Sequence, residues 1–377
     1  MSERWISPTS VFDGQNILKN AHLRIEDDRV IEVLAGDLPQ GAQSQRISGL
    51  ISPGFVDLQV NGGGDVMLNA TPTSDGMRIM AEAHRRFGTV AIMPTVITDR
   101  QEVMGLAAEA ALAAKGDRGI LGIHIEGPHI APERRGTHAR KFVRPLDQPT
   151  LDIVGKLRDA DLPVMITVAP ESATPAQISK LAEMGAIVSL GHTDATSEQV
   201  KTAISAGATC ATHLFNAMSP MVGRAAGAVG AVINSELYSG IICDGYHVAD
   251  EMIGLAIRAR PVSGRMFLVS DAMATVGGQD HFSLYGQDIY LKDGRLVNSE
   301  GSLAGAHVTQ AQGVKRLAEH VGVSLLDALK MAVTIPAECM GVPEYGMLEG
   351  RRVDDLVILN AAHEFVGDLS APIHDAA

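Results

Sequence analysis

The stretch "GIHIEGPHI" (residues 122–130) begins as a buried β-strand and ends as something else. Gly122, Ile123 and Ile125 suit a strand packed on both faces, but the run also carries His124, Glu126 and His129, and Gly127 and Pro128 stop it. Side chains alternate along a strand, so His124 and Glu126 point the same way, with His124 about 6.6 Å deeper. Glu126 is therefore placed at a rim and reads as a ligand. His124 reads as a buried core or supporting residue, and His129, beyond Pro128, as part of a loop.

Similar short apolar runs lie on either side. They are "LISPGFVDLQV" near Phe55, "TVAIMPTV" near Ala91, "GILGIHIE" near Ile123 and "PVMITVAP" near Ile166. Further on come "AIVSLGH" near Ser189, "ATCATH" near Ala211, "GIICDG" near Ile242 and "RMFLVSD" near Leu268. Their spacing of about 20 to 45 residues suits one strand, one helix and two loops per unit. Between them, "TSEQVKTAISAGA" offers Thr196 as N-cap with Gln199 three residues on, then Val200, Ala203 and Ile204 on one face and Gly207 as terminator. "TSDGMRIMAEAHRRFG" has similar punctuation. Eight such units predict an α/β fold of the (β/α)8 TIM-barrel type, with a doubly wound open sheet as the alternative.

The ends of the chain differ. "HLRIEDDRVIEVLAG" reads as two short strands about a charged turn, and "GMLEGRRVDDLVILN" repeats that style near the other terminus. The expectation is a small β-domain built from residues 1–50 and 343–377 around a barrel of residues 51–342. "FSLYGQDIYLKDGRLVN" (residues 282–298) reads as a hairpin turning at Asp293-Gly294.

Composition narrows the function. A net charge of −13 argues against nucleic-acid or anionic-membrane partners. The three cysteines, Cys210, Cys243 and Cys339, have no CxxC spacing and read as reduced, buried thiols. The opening "MSERWISPTSVFDGQ" lacks the apolar core of a signal peptide, and no stretch reads as a membrane span, so a cytoplasmic location is expected.

In such a barrel the chemistry gathers at the C-terminal strand ends. Those ends carry Asp57, Gln59 and Asn61 on the first strand, Glu126 on the third and His192 on the fifth. His213, Asp244 and Asp271 end the sixth, seventh and eighth. One carboxylate and two imidazoles, Glu126, His192 and His213, match the donor set of a catalytic zinc with an open position. Asp271, followed by the small residues Ala272, Ala274, Gly277 and Gly278, suits a carboxylate that shuttles a proton beside the ion. An N-capping role is its bland alternative.

These residues resemble the N-acetylglucosamine-6-phosphate deacetylases of the amidohydrolase superfamily. The matching stretches are "PGFVDLQVNG", "GIHIEGPHIAPERRGTHARKFVR", "SLGHTDAT", "ATHLFNAMSPMVGRAAG", "CDGYHV", "LVSDAMA" and "GSLAGAHVT". The resemblance implies the barrel with a β-sandwich from both termini. It also implies hydrolysis of the N-acetyl amide of an amino-sugar 6-phosphate in amino-sugar catabolism. It places Glu126, His192 and His213 on metal ligands and Asp271 on the acid/base. Substrate contacts fall on Thr137, His138, Asn216, Ala217, Arg224, His247, Leu303, Ala304, Gly305 and Ala306. Arg224 and His247 serve the phosphate, partly across a homodimer interface.

Many amidohydrolases carry His-x-His at the end of the first strand. Here Gln59 and Asn61 stand there, and neutral amides are weak ligands for a transition metal. One divalent ion per subunit is therefore expected, zinc by its donor set, with Gln59 reaching it only through water. His307 stands where a small hydroxyl residue was expected, which bears on which sugar is preferred.

Related substrates, N-acetylgalactosamine 6-phosphate or an N-acyl amino acid, would use the same centre. A purine or cytosine deaminase would want more histidine on the first strand. A non-catalytic sugar-phosphate binder would need neither Asp271 nor the ligand set.

Overall fold

The computed structural model describes residues 3–298, 301 and 303–370. Residues 1–2 and 371–377 of the expected terminal module lie outside the described residues. The eight barrel strands, first to eighth, are Phe55–Val60, Thr89–Ile97, Ile123–Glu126, Val164–Val168, Ile187–Leu190, Cys210–Ala211, Tyr238–Ile241 and Met266–Leu268. They are parallel neighbours in chain order, and each overlaps its run read from sequence, although the seventh begins two residues before its run and ends at Ile241, and the second extends one residue past its run to Ile97. The sheet closes on itself. Val60 bridges Ala272, the Asp271 N–H donates to Gln59 O at 3.0 Å, and the Asn61 N–H donates to Ala272 O at 2.9 Å. An open doubly wound sheet would have no such seam. Both faces of these strands are covered, which explains their continuous apolar runs.

Helices Ser74–Arg85, Gln101–Ala113, Gln148–Asp159, Pro175–Glu183, Ser197–Ser205, Gly227–Ile233 and Asp250–Ala259 fill the seven crossovers, and Gln310–Arg316 follows the eighth strand. Thr196 caps the Gln199 N–H while the Gln199 side chain returns to the Thr196 backbone, a reciprocal cap worth about 1 kcal/mol. Thr73 caps the helix after the first strand.

Both chain ends build one further sheet. Its order is Phe365–Gly367, Leu356–Leu359, Ser44–Pro53, Glu3–Phe12, Ala21–Glu26 and Arg29–Ala35, with Ile17–Leu18 paired to Glu3–Phe12. Alternation assigns its side chains to two cores. Val11, Ile51, Leu356 and Ile358 pack with Ile6, Leu23 and Ile25 inside this module. Their neighbours Phe12, Leu50, Val357 and Leu359 turn into the barrel core. Arg85 on the first barrel helix pairs with Asp355 at 2.7 Å across the same junction.

The expected hairpin is a three-stranded meander, His281–Leu284, Gln287–Lys292 and Arg295–Val297. Asp293 and Gly294 turn it with φ of 50° and 78°, and Tyr285 and Gly286 make a second turn at 52° and 81°. Two successive positive φ values are the signature of the two-residue hairpin turn. Phe282, Leu284, Ile289 and Leu296 pack on Met67, Ile97, Met273 and Ala304, so the meander leans over the rim of the barrel. Among the described residues no helix is long and apolar enough to cross a membrane.

Candidate metal centre and active site

Three rim residues share an uncommon backbone conformation. His192, His213 and Asp271 have φ of 48°, 28° and 51°, a left-handed geometry that costs a residue with a side chain about 1–3 kcal/mol. Each stands just beyond its strand, where this conformation breaks the extended run.

Glu126, His192 and His213 converge in the buried interior of the rim. Glu126 Oε1 lies 3.1 Å from His192 Nε2 and 3.0 Å from His213 Nε2, and the two Nε2 atoms are 3.1 Å apart. His192 Nδ1 lies 2.9 Å from Arg134 O. A carbonyl only accepts, so Nδ1 carries the proton of the neutral ring and Nε2 presents a lone pair inward. Burial alone would raise the Glu126 pKa, but the hydrogen bonds and charges of both imidazoles hold it well below the usual carboxylate range. For His213 burial works downward, and Glu126 overrides it to raise the pKa. Three electron-rich atoms this close require positive charge among them. A divalent cation with nitrogen and oxygen ligands meets that requirement and leaves a position open.

Asp271 adjoins the cluster. Gln59 Nε2 donates to Glu126 Oε1 at 2.9 Å and to Asp271 Oδ1 at 3.1 Å. Asn61 Nδ2 donates to the same Asp271 Oδ1 at 2.7 Å. Two amides thus anchor one oxygen, and Oδ2 has no hydrogen-bond partner among the described residues. Burial, then the charge of Glu126, raises the Asp271 pKa, opposed by His213 and the Asn61 bond. Below this level Asp57 accepts N–H bonds from Ser270 and Gln59, at 3.2 Å to its Oδ1. Burial still pushes its carboxyl up to about 7.

His138 enters from the loop after the third strand. Its ring centroid is 4.4 Å from that of His192, and its Nδ1 is 2.7 Å from Thr98 Oγ1. Burial, followed by the nearby His192, pushes its pKa down to about 3, so the ring is neutral. Thr137 beside it lines a cavity of about 620 Å³ with Leu303, Ala304, Tyr285 and Arg140. The loop that holds Leu303, Ala304, Gly305 and Ala306 is fastened at both ends. Ala304 N–H donates to Leu296 O at 3.0 Å, and Ala306 N–H to Asp271 O at 3.1 Å.

The remaining residues predicted to contact substrate are more dispersed. Asn216 Nδ2 donates to His213 O at 3.4 Å, and Ala217 O accepts the Thr193 N–H at 2.9 Å. His247 pairs through Nδ1 with Asp244 Oδ2 at 2.6 Å, which gives Asp244 a structural use. Arg224 is not drawn into the cluster. It lies in the exposed segment 220–226 and has no ion pair among the described residues. His124 and His129 are satisfied internally, bonding Leu58 O and Thr167 Oγ1, and Arg144 O, Pro145 O and Thr150 Oγ1.

Thr98 was missed by sequence reading. It stands just beyond the second strand, for which the sequence offers no rim residue, and a threonine closing a β-branched run carries no distinguishing signal. Tyr285, whose hydroxyl donates to Thr98 O, was read only as part of a hairpin.

A closed (β/α)8 barrel with a buried Glu-His-His cluster beside an anchored aspartate defines the class of metal-dependent barrel hydrolases. Residues 50–374 match the model of the Amidohydrolase family, and the chain belongs to that family. It is 43% identical over 313 residues to an N-acetylgalactosamine-6-phosphate deacetylase of Shewanella sp. (strain ANA-3), covering 81% of this chain and 78% of that one. It is 33% identical to the N-acetylglucosamine-6-phosphate deacetylase of Haemophilus influenzae, over 84% of both. The crystal structure of the Pasteurella multocida N-acetylglucosamine-6-phosphate deacetylase superimposes with a TM-score of 0.89 at 33% identity, over 97% of this chain and 98% of that one.

Proposed function

We propose that the protein hydrolyses the acetamide of N-acetyl-D-glucosamine 6-phosphate, giving D-glucosamine 6-phosphate and acetate in amino-sugar catabolism. The observation that carries this reading is the Glu126–His192–His213 triangle beside an aspartate with one oxygen anchored and the other free. The relatives supply the sugar. The 43% identity to an N-acetylgalactosamine-6-phosphate deacetylase favours that epimer as a second substrate.

Glu126, His192 and His213 would hold one divalent ion, zinc by donor type. Such an ion supplies Lewis acidity to the amide carbonyl and to the attacking water. Asp271 Oδ2 accepts a proton from that water. A raised pKa helps it return the proton to the sugar nitrogen, so that a neutral amine departs. Gln59 would reach the ion at most through water, because its Nε2 is committed to Glu126 and Asp271 and its neutral amide oxygen is a weak ligand for a transition metal.

Arg224 and His247 bind the phosphate, and a guanidinium suits a phosphate through paired N–H donors. Arg224 does so across a homodimer interface. Its exposed neighbours Met221 and Val222, 42% and 57% accessible, support that pairing. Arg224→Ala should raise KM for the phosphorylated sugar far more than for the unphosphorylated one. An equal rise, or a monomer by light scattering, would remove this assignment. Three free, buried thiols suit a cytoplasmic location.

The decisive measurement is acetate release from N-acetylglucosamine and N-acetylgalactosamine, each with and without the 6-phosphate. It is made before and after chelation and on restoring single metals. The expected result is release from the 6-phosphates alone, lost on chelation and regained with zinc. Release that survives full chelation would overturn the metal reading, and preference for an unphosphorylated substrate would overturn the sugar-phosphate reading.

A further inference from the structure

We propose that Thr98 is a positioning residue that fixes His138 as the Nε2–H tautomer, holding an N–H donor ready for a substrate carbonyl oxygen beside the Glu126–His192–His213 cluster. The inference deepens the proposed function, since it rests on His138 facing the scissile amide.

A neutral imidazole has one proton and two nitrogens, and the partner of one nitrogen settles which of them carries it. Thr98 is fully buried. Among the described residues its hydroxyl has one hydrogen-bond partner, His138 Nδ1 at 2.7 Å. If Nδ1 held the proton and donated it to Oγ1, the hydroxyl hydrogen would be buried without an acceptor. That state costs about 1–3 kcal/mol. If the hydroxyl donates to Nδ1, both groups are satisfied and the ring proton sits on Nε2. His138 Nε2 makes no hydrogen bond among the described residues, so its N–H is available to a ligand.

Two further features hold the hydroxyl in place. The Tyr285 hydroxyl donates to Thr98 O from the tip of the meander, pinning the backbone of the same residue. On the other side stands Gly127, directly after the ligand Glu126. A Cβ there would lie 2.2 Å from Thr98 Oγ1, and its φ of +80° is also a glycine conformation. The turn that ends the third strand thus leaves room for the hydroxyl on the second.

The test compares Thr98→Val, which keeps the shape and removes the hydroxyl, with Thr98→Ser, which keeps the hydroxyl. Both are checked for metal content and melting temperature. Thr98→Val should lower kcat by about 10- to 100-fold with KM within about threefold, and Thr98→Ser should stay near wild type. Nitrogen NMR of the metal-loaded protein should show His138 as Nε2–H in wild type and Thr98→Ser, and as a tautomer mixture in Thr98→Val. Wild-type kcat in folded Thr98→Val, or a wild-type His138 protonated on Nδ1, would overturn the proposal. The spectrum needs no substrate. A wild type that releases no acetate from any sugar would therefore refute the deacetylase reading, while the nitrogen shifts still decide the tautomer.

Discussion

Asp271, the proposed proton shuttle, is held firmly in place. One oxygen takes N–H bonds from Gln59 and Asn61, and the left-handed backbone fixes the direction of the side chain. Asp271→Asn keeps the shape and loses the base. It should lower kcat by about 10²–10⁴-fold while one equivalent of metal stays bound by elemental analysis. Activity within about tenfold of wild type would take the proton-shuttle role away from Asp271. His192 and His213 adopt the same strained conformation, so replacing either by glycine should relieve backbone strain while removing one of the proposed metal ligands.

The loop that holds Leu303, Ala304, Gly305 and Ala306 is built just as tightly. Gly305 has a φ of +69°, and a Cβ there would approach Met273 Cε to 2.2 Å. Gly305→Ala should cost about 1–2 kcal/mol of stability and lower kcat/KM by roughly 10- to 100-fold as the loop shifts. Unchanged kinetics would show that this loop does not shape the site. The strands were legible because each is buried on both faces and writes a continuous apolar run. The Thr196 to Gln199 cap was legible because its spacing is local, and Glu126, His192 and His213 because charged or imidazole groups interrupt such runs at their ends. Thr98 and Tyr285 were not, since their importance lies in a contact between a strand end and a distant hairpin that no local pattern records. Asn61 reads from sequence as a weak ligand at the rim, and only the closed seam shows it to be an anchor for Asp271.

Acid should unsettle the molecule through histidines that fold in the neutral state. Burial pushes His84 and His124 down to about 4, whereas an unfolded histidine titrates near 6.5. The unfolded chain then binds more protons between these values, so this contribution is complete above about pH 6.5 and fades as the pH falls toward 4. Asp57, raised to about 7, acts in the opposite sense and offsets part of the loss. Between pH 7 and pH 5, His84→Gln should lose roughly 2 kcal/mol less unfolding free energy than wild type. Equal losses in urea titrations at the two pH values would show that His84 is not buried neutral. The sheet made by both chain ends bears on biosynthesis as well. Strand Ser44–Pro53 is flanked by Glu3–Phe12 on one side and Leu356–Leu359 on the other. A growing polypeptide therefore leaves the ribosome with that edge unzipped, and with Phe12 and Leu50 lacking their final cover, until Leu356–Leu359 has been translated. An open edge and bare apolar side chains are what chaperones and aggregates both recognise, so prematurely terminated products should be the species that cells must capture.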